Sequence, residues 1–451
     1  MPKVLAPDIV IDDALGNSSY VVDVGDGRAL VVDPARDPSP YLALADDRDL
    51  EIAFVAETHL HADFVTGSRE LARRGAHVIA SAAGGIEFPH RGLDGGDEVD
   101  LGGLRLRALA TPGHTPEHLA YLLCDGDAPV ALFSGGSLIV GAVARTDLIA
   151  PDRTEALTRA LWRSLQDTIL TLPDELPVFP THGAGSFCTA SPGGERVTTI
   201  GHEKATNPLL SAPDENSFVV RLLGGLGTYP TYFRTLREVN RRGPAVYGAF
   251  PELASLELAE VRRRFDHGAV LIDVRPVGDF AAGHIPGSLS IALRPQFGSW
   301  LGWLTERDRA LVFVLNPTQD RAELVRQCLT IGYENIAGEL AGGIKTWTAA
   351  GLAVNRIRLL PPERIDRGPI LDVRQRVEFE AGHLAGAVHV ELGALPSHLE
   401  DVPDGSMTVM CGHGERAATA ASLLAREGRA DVTVLAGGPD ELAAARHEQL
   451  A

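Results

Sequence analysis

The chain has 451 residues, 45% of them apolar and 22% charged, and carries a formal charge of −19 at pH 7. That length exceeds one ordinary core and predicts roughly two to four domains, three being the working figure. The negative charge excludes nucleic acid and anionic membrane as principal partners, because both would be repelled.

In the first half, "YVVDVG" (Tyr20–Gly25) and "ALVVDP" (Ala29–Pro34) read as strands separated by a turn. A theme of strand, Gly- or His-rich loop and helix then recurs through "FVAETHLHAD", the stretch Arg107 to His118 containing "TPGHTPEH", and "PVALFSGGSL". The half ends near Gly243 to Phe250. Histidine-bearing loops at strand ends are where an α/β scaffold places a site. "THLHADF" almost spells His-x-His-x-Asp-His, but its last position is Phe64.

The second half contains a repeat. "LIDVRPVGDFAAGHIPGSLSI" (Leu271–Ile291) returns 99 residues later as "ILDVRQRVEFEAGHLAGAVHV" (Ile370–Val390), so Asp273, Arg275, Phe280 and His284 match Asp372, Arg374, Phe379 and His383. Each copy continues into an apolar strand, "ALVFVLN" or "MTVMC", and then a helical pattern, "DRAELVRQCLTIGY" or "ERAATAASLLAREG". Strands alternating with helices predict parallel α/β units. Residues 355–369 read as the linker between copies. No apolar run of about 18 residues and no charged-then-apolar leader is found, so neither a spanning nor a secretory segment is expected. Cys124, Cys188, Cys328 and Cys411 are scattered without a CxxC pair, which predicts no disulfide framework and a reducing cytoplasmic setting.

Through "THLHADF", "TPGHTPEH", "FSGGSL", "RTDL" and "THGAGS", the first half resembles the metallo-β-lactamase fold, and within it the persulfide dioxygenases fused to rhodanese domains. The resemblance implies an αββα sandwich over residues 1–245, followed by rhodanese-like α/β domains with parallel sheets at 255–355 and 360–451. It also implies a mononuclear iron site of two histidines and one carboxylate with open positions for sulfur and oxygen. The histidines map to His59 and His114; the carboxylate falls on Gly136, which has none. A second metal would retain only Asp63 and His182 of its set. What survives is His59, His61 and His114, three imidazoles for one iron or zinc ion with a position left open; an empty pocket is the alternative.

The C-terminal copies resemble rhodanese sulfurtransferases. In "MCGHGERAATAASLL", Cys411 leaves a strand and a tight turn leads to a helix near Arg416. Glycines let backbone amides point inward and a helix N-terminus adds partial positive charge, which together stabilise a thiolate or persulfide. Cys411, Arg416 and His413 are the expected catalytic residues, with Gly412, Gly414 and Glu415 forming the substrate cradle. Aligning Arg321 with Arg416 sets Asn316 beneath Cys411, so the first copy is expected to be silent. Three readings follow: a sulfurtransferase moving sulfane sulfur from thiosulfate or a low-molecular-weight persulfide to a thiol; a persulfide dioxygenase coupled to the rhodanese; and a non-catalytic sulfur carrier or scaffold. Relatives of this kind imply a homodimer or homotetramer.

Overall fold

The computed structural model describes residues 6–189, 194–429 and 431–451. The chain divides into two units, Met1–Phe250 with Leu329–Gly332, and Pro251–Cys328 with Tyr333–Ala451. Among the described residues, no helix is long and apolar enough to cross a membrane.

The first unit is built on two six-stranded sheets. One runs in the order Asp8–Asp12, Asn17–Gly25, Arg28–Val32, Glu51–Ala56, His77–Ser81, Arg91–Leu93, antiparallel at its start and parallel thereafter. The other runs Thr198–Thr199, Pro177–Pro180, Ala128–Gly135, Leu119–Asp125, Arg105–Ala110, Glu98–Asp100. Alternation decides which side chains meet between the sheets: Tyr20, Val22 and Val24 point inward, where they join Leu30, Leu106, Tyr121, Leu123, Phe133 and Phe179 in one buried cluster. Val21, Val31 and Val55 face the other way and pack with Tyr41 and Leu71 of the helices Ser39–Asp47 and Ser68–Ala72. On the second sheet, Ala120, Leu122 and Leu132 pack with Leu161, Leu165, Phe218 and Leu222 of the helices Thr154–Asp167 and Glu215–Gly225. The layers are therefore αββα, as the resemblance implies.

In the second unit the repeat becomes two five-stranded sheets, all parallel. Their orders are Ser255–Leu256, Ile336–Leu340, Leu311–Val314, Val270–Asp273, Leu289–Ser290, and Arg358–Leu360, Val432–Leu435, Met407–Met410, Ile370–Asp372, Val388–His389. The central strands are buried along their whole length and apolar but for Thr408, as expected where a sheet is covered on both faces. The stretch read as a linker contributes the edge strand Arg358–Leu360, because it pairs with Val432–Leu435.

The Asp-Val-Arg signature acts as a clamp. Asp372 and Arg374 form a bidentate pair, the closest contact being 2.7 Å, and Arg374 also donates to the carbonyls of Glu378 and Gly382. Asp273 and Arg275 repeat the pair in the first copy. Since Asp372 is wholly buried, Asp372→Ala leaves a guanidinium without its counter-charge. A loss of about 3–5 kcal/mol follows. Urea unfolding followed by far-UV circular dichroism should show a transition moved to lower denaturant; an unmoved midpoint would show that the pair contributes nothing.

Candidate functional site

The N-terminal pocket is assembled from loops that leave strands. Strand Glu51–Ala56 runs directly into the loop carrying His59, His61 and Asp63; His114 follows Arg105–Ala110, and His182 follows Pro177–Pro180. His59, His114 and His182 are buried, and one ligating atom from each lies within 4.8 Å of the others.

The remaining ring nitrogens fix the tautomers. Thr58 Oγ1 donates to Asp33 Oδ2 at 2.7 Å, so toward His59 Nδ1, 2.8 Å away, it acts as acceptor. The carbonyl of Arg145 can only accept, so His114 Nδ1 donates to it at 2.6 Å. Asn17 donates its amide to Asp63 Oδ2 at 2.7 Å, which leaves Asn17 Oδ1 to accept from His182 Nδ1 at 2.9 Å. Every Nε2 of the trio therefore carries a lone pair. Those of His59 and His182 are buried with no hydrogen-bond partner. Burial, reinforced by the neighbouring imidazoles, holds His59 well below the ordinary histidine range and His114 down at about 3. Converging lone pairs that resist protonation are the donor set of a metal ion, so the residues present fit one.

His61 is held differently. Its Nε2 lies 3.2 Å from Asp33 Oδ1 and 3.2 Å from Glu57 Oε2, and its ring stacks on Phe64. Burial alone would lower this imidazole, but the two carboxylates outweigh it and push it up to about 10. His61 also falls within two further groups of close donors, with Asp33 and His59 and with Asp63 and His182. Asp63 lies 3.4 Å from His182 Nδ1, where it orients that ring.

Gly136 donates its amide to His118 Nε2 at 3.0 Å. A Cβ at this position would meet His114 Cδ2 at 2.7 Å and Ala144 Cβ at 2.9 Å. The His114 ring thus occupies the space in which a side chain at 136 would begin.

In the second unit, Cys411 directly follows the central strand Met407–Met410, and Gly414 caps the helix Glu415–Arg426. Gly414 takes φ +103°, which a side chain would oppose, and its N–H donates to Cys411 Sγ at 3.1 Å. The thiol is 1% exposed. It is nevertheless set against an amide and the positive end of a helix, the surroundings that favour a sulfur anion. Arg416 reaches Glu378 through two bonds of 2.6 and 2.7 Å. Gly412 and Glu415 are half-buried, and His413 is exposed at the tip of the loop.

The first copy differs in register. Asp273 pairs with Val314 as Asp372 pairs with Met410, so the strand sets Leu315 level with Cys411 and Asn316 one residue beyond it. Neither carries a thiol. Arg321 there donates to the carbonyls of Asn316, Pro317 and Gln319, so the loop turns oxygens inward. Such a loop suits a cation and repels a sulfur anion. Cys124, Cys188 and Cys328 are buried and unbridged, and burial pushes each thiol up.

Asn17, Thr58, Asp33 and Glu378 have roles the sequence reading passed over. The repeat held a signal for Glu378, which stands 99 residues after Asp279.

Comparison with known proteins agrees with this architecture. Residues 12–182 match the metallo-beta-lactamase superfamily, and residues 257–350 and 362–445 each match the rhodanese-like domain. The mitochondrial persulfide dioxygenase ETHE1 of Homo sapiens is 29% identical over 203 residues, 44% of this chain and 72% of that protein. A hydroxyacylglutathione hydrolase of Methylococcus capsulatus is 32% identical over 247 residues, 48% of this chain and 90% of that one. The crystal structure of a metallo-beta-lactamase from Staphylococcus aureus subsp. aureus COL aligns with a TM-score of 0.66 at 28% identity, covering 75% of this chain and 99% of that one. The chain belongs to the metallo-β-lactamase superfamily, in the arrangement where a persulfide-dioxygenase-like domain is fused to two rhodanese-like domains.

Metal binding tests the pocket. Cobalt(II) titrated into metal-free protein should give stoichiometric d–d absorption, and His182→Ala should abolish it. Asn17→Ala, which removes the acceptor that orients His182, should weaken binding about 10–100-fold. Gly136→Asp should not strengthen it, because its Cβ collides with the His114 ring. Unchanged cobalt binding by His182→Ala would overturn the donor set.

Proposed function

We propose that this protein of sulfur metabolism is a sulfurtransferase that carries sulfane sulfur on Cys411. The Cys411 thiolate attacks the outer sulfur of a persulfide RSSH; the RS–S bond breaks, Cys411–S–SH forms, and RS⁻ departs with the electron pair. With thiosulfate the same attack expels sulfite. A thiol or cyanide then removes the outer sulfur and restores the thiolate. No electrons are gained or lost overall. The observation that carries this reading is the Gly414 N–H directed at Cys411 Sγ at the start of a helix. Arg416 and His413 are assigned to binding the anionic donor, and Gly412, Gly414 and Glu415 to shaping its cradle. The copy carrying Asn316 is assigned no transfer.

A second reading, persulfide dioxygenation in the first unit, is favoured by the relationship to ETHE1 and by the unpartnered Nε2 atoms of His59 and His182. Bound there by His59, His114 and His182, an iron or zinc ion would supply a cationic anchor for an anionic sulfur ligand. Asn17 and Asp63 would hold His182 in place, and Thr58 would hold His59. Sulfur transfer ranks first because Gly136 supplies no carboxylate to the two-histidine, one-carboxylate pattern of such dioxygenases.

Thiosulfate-to-cyanide transfer by wild type and Cys411→Ser separates the readings. The variant should lose about three orders of magnitude or more of kcat, as expected when a covalent nucleophile is removed. Equal rates would remove Cys411 from the mechanism. Oxygen uptake on glutathione persulfide that is rapid and survives Cys411→Ser would establish the second reading in its place.

A further inference from the structure

Arg416 is the cation nearest in sequence to the Cys411 loop, yet the Nη1–Nη2 edge of its guanidinium is already taken. Nη1 and Nη2 bind the two oxygens of Glu378 at 2.6 and 2.7 Å. The guanidinium runs across the loop: a Cβ at Gly412 would lie 3.5 Å from Arg416 Nη2. Two anions therefore compete for one fork, the Glu378 carboxylate and whatever donor approaches Cys411.

The first copy provides a comparison. Asp279 stands 99 residues before Glu378 and also reaches into its loop, where Oδ2 accepts from Asn316 Nδ2 at 2.6 Å. There the acid is one methylene shorter and Arg321 is bound to Glu339 instead, at 2.9 Å. Both copies thus set a carboxylate from the helix after Asp-Val-Arg over the loop. In the second copy that carboxylate takes the arginine.

We infer that Glu378 determines donor selectivity at Cys411, an inference that rests on the sulfurtransferase reading. With Glu378 on Arg416, a dianion such as thiosulfate finds the Nη1–Nη2 edge of the guanidinium taken and meets a carboxylate beside the loop. A persulfide carries at most one negative charge at its sulfur end, where thiosulfate carries two over its S–SO₃ unit, and exposes its outer sulfur at the end of an S–S bond. The preferred donors are accordingly low-molecular-weight persulfides. Glu378 acts through Arg416 and the field at the entrance, so it is a positioning residue.

The test is Glu378→Gln in the full chain, with thiosulfate and glutathione persulfide as donors and cyanide as acceptor. Gln keeps the length of the side chain but gives up the charge. KM for thiosulfate should fall about tenfold, the size of effect expected when a charge-assisted bond is released, with kcat little changed. KM for glutathione persulfide should move less than about twofold. Equal shifts for both donors, or a raised thiosulfate KM, would overturn the inference and leave Glu378 a scaffold for Arg416. A second measurement is the rate at which iodoacetamide alkylates Cys411 as thiosulfate is added. Protection should set in at lower thiosulfate in Glu378→Gln than in wild type; coincident protection curves would count against Glu378. Should wild type load no sulfur from either donor, the sulfurtransferase reading itself fails, whereas normal loading with identical donor dependence in both proteins removes only the role of Glu378.

Discussion

One backbone amide organises the surroundings of the Cys411 thiol in the second unit. The Gly414 N–H can face Cys411 Sγ only because residue 414 adopts a left-handed conformation between a strand end and a helix start. That conformation needs glycine, and the parallel sheet sets the strand end and helix start one short loop apart. The Asp372–Arg374 clamp fixes the neighbouring strand end, and through Glu378 the same region reaches Arg416. Sheet topology, buried ion pair and thiol environment are successive consequences of one arrangement.

The first copy shows what the same topology becomes without that amide. Its longer loop sets Leu315 level with the thiol position, and Arg321 gathers three carbonyls inward. The fold and the Asp273–Arg275 pair survive, with its bond to the Gly283 carbonyl. A rhodanese-like sheet is thus maintained by core and clamp, while the capacity to stabilise a sulfur anion resides in a few loop residues.

The 99-residue repeat, the cysteine loop and the absence of a thiol in the first copy were legible in the sequence, because each rests on local pattern or spacing, whereas the αββα sandwich was implied by the family resemblance. The partition of the histidines was not. His-x-His spacing gives His59 and His61 equal standing, and only the fold brings Asp33 and Glu57 against His61 while Asn17 turns His182 into the pocket. The closure of the space beside Gly136 by the His114 ring was hidden for the same reason: glycine reports a missing side chain but not what moved in. Asn316 was placed by counting back from an arginine, and one extra loop residue shifted it by one.

The central claim is that sulfur rides on one thiol and that the other three cysteines, all buried, do not take part. Peptide mapping by mass spectrometry after brief exposure of the full chain to a persulfide donor, with free thiols and persulfides alkylated on quenching, tests it most directly. The account predicts one added sulfur on the peptide containing Cys411 and none on those containing Cys124, Cys188 or Cys328. Sulfur on Cys188, beside the metal pocket, with Cys411 unmodified, would contradict it.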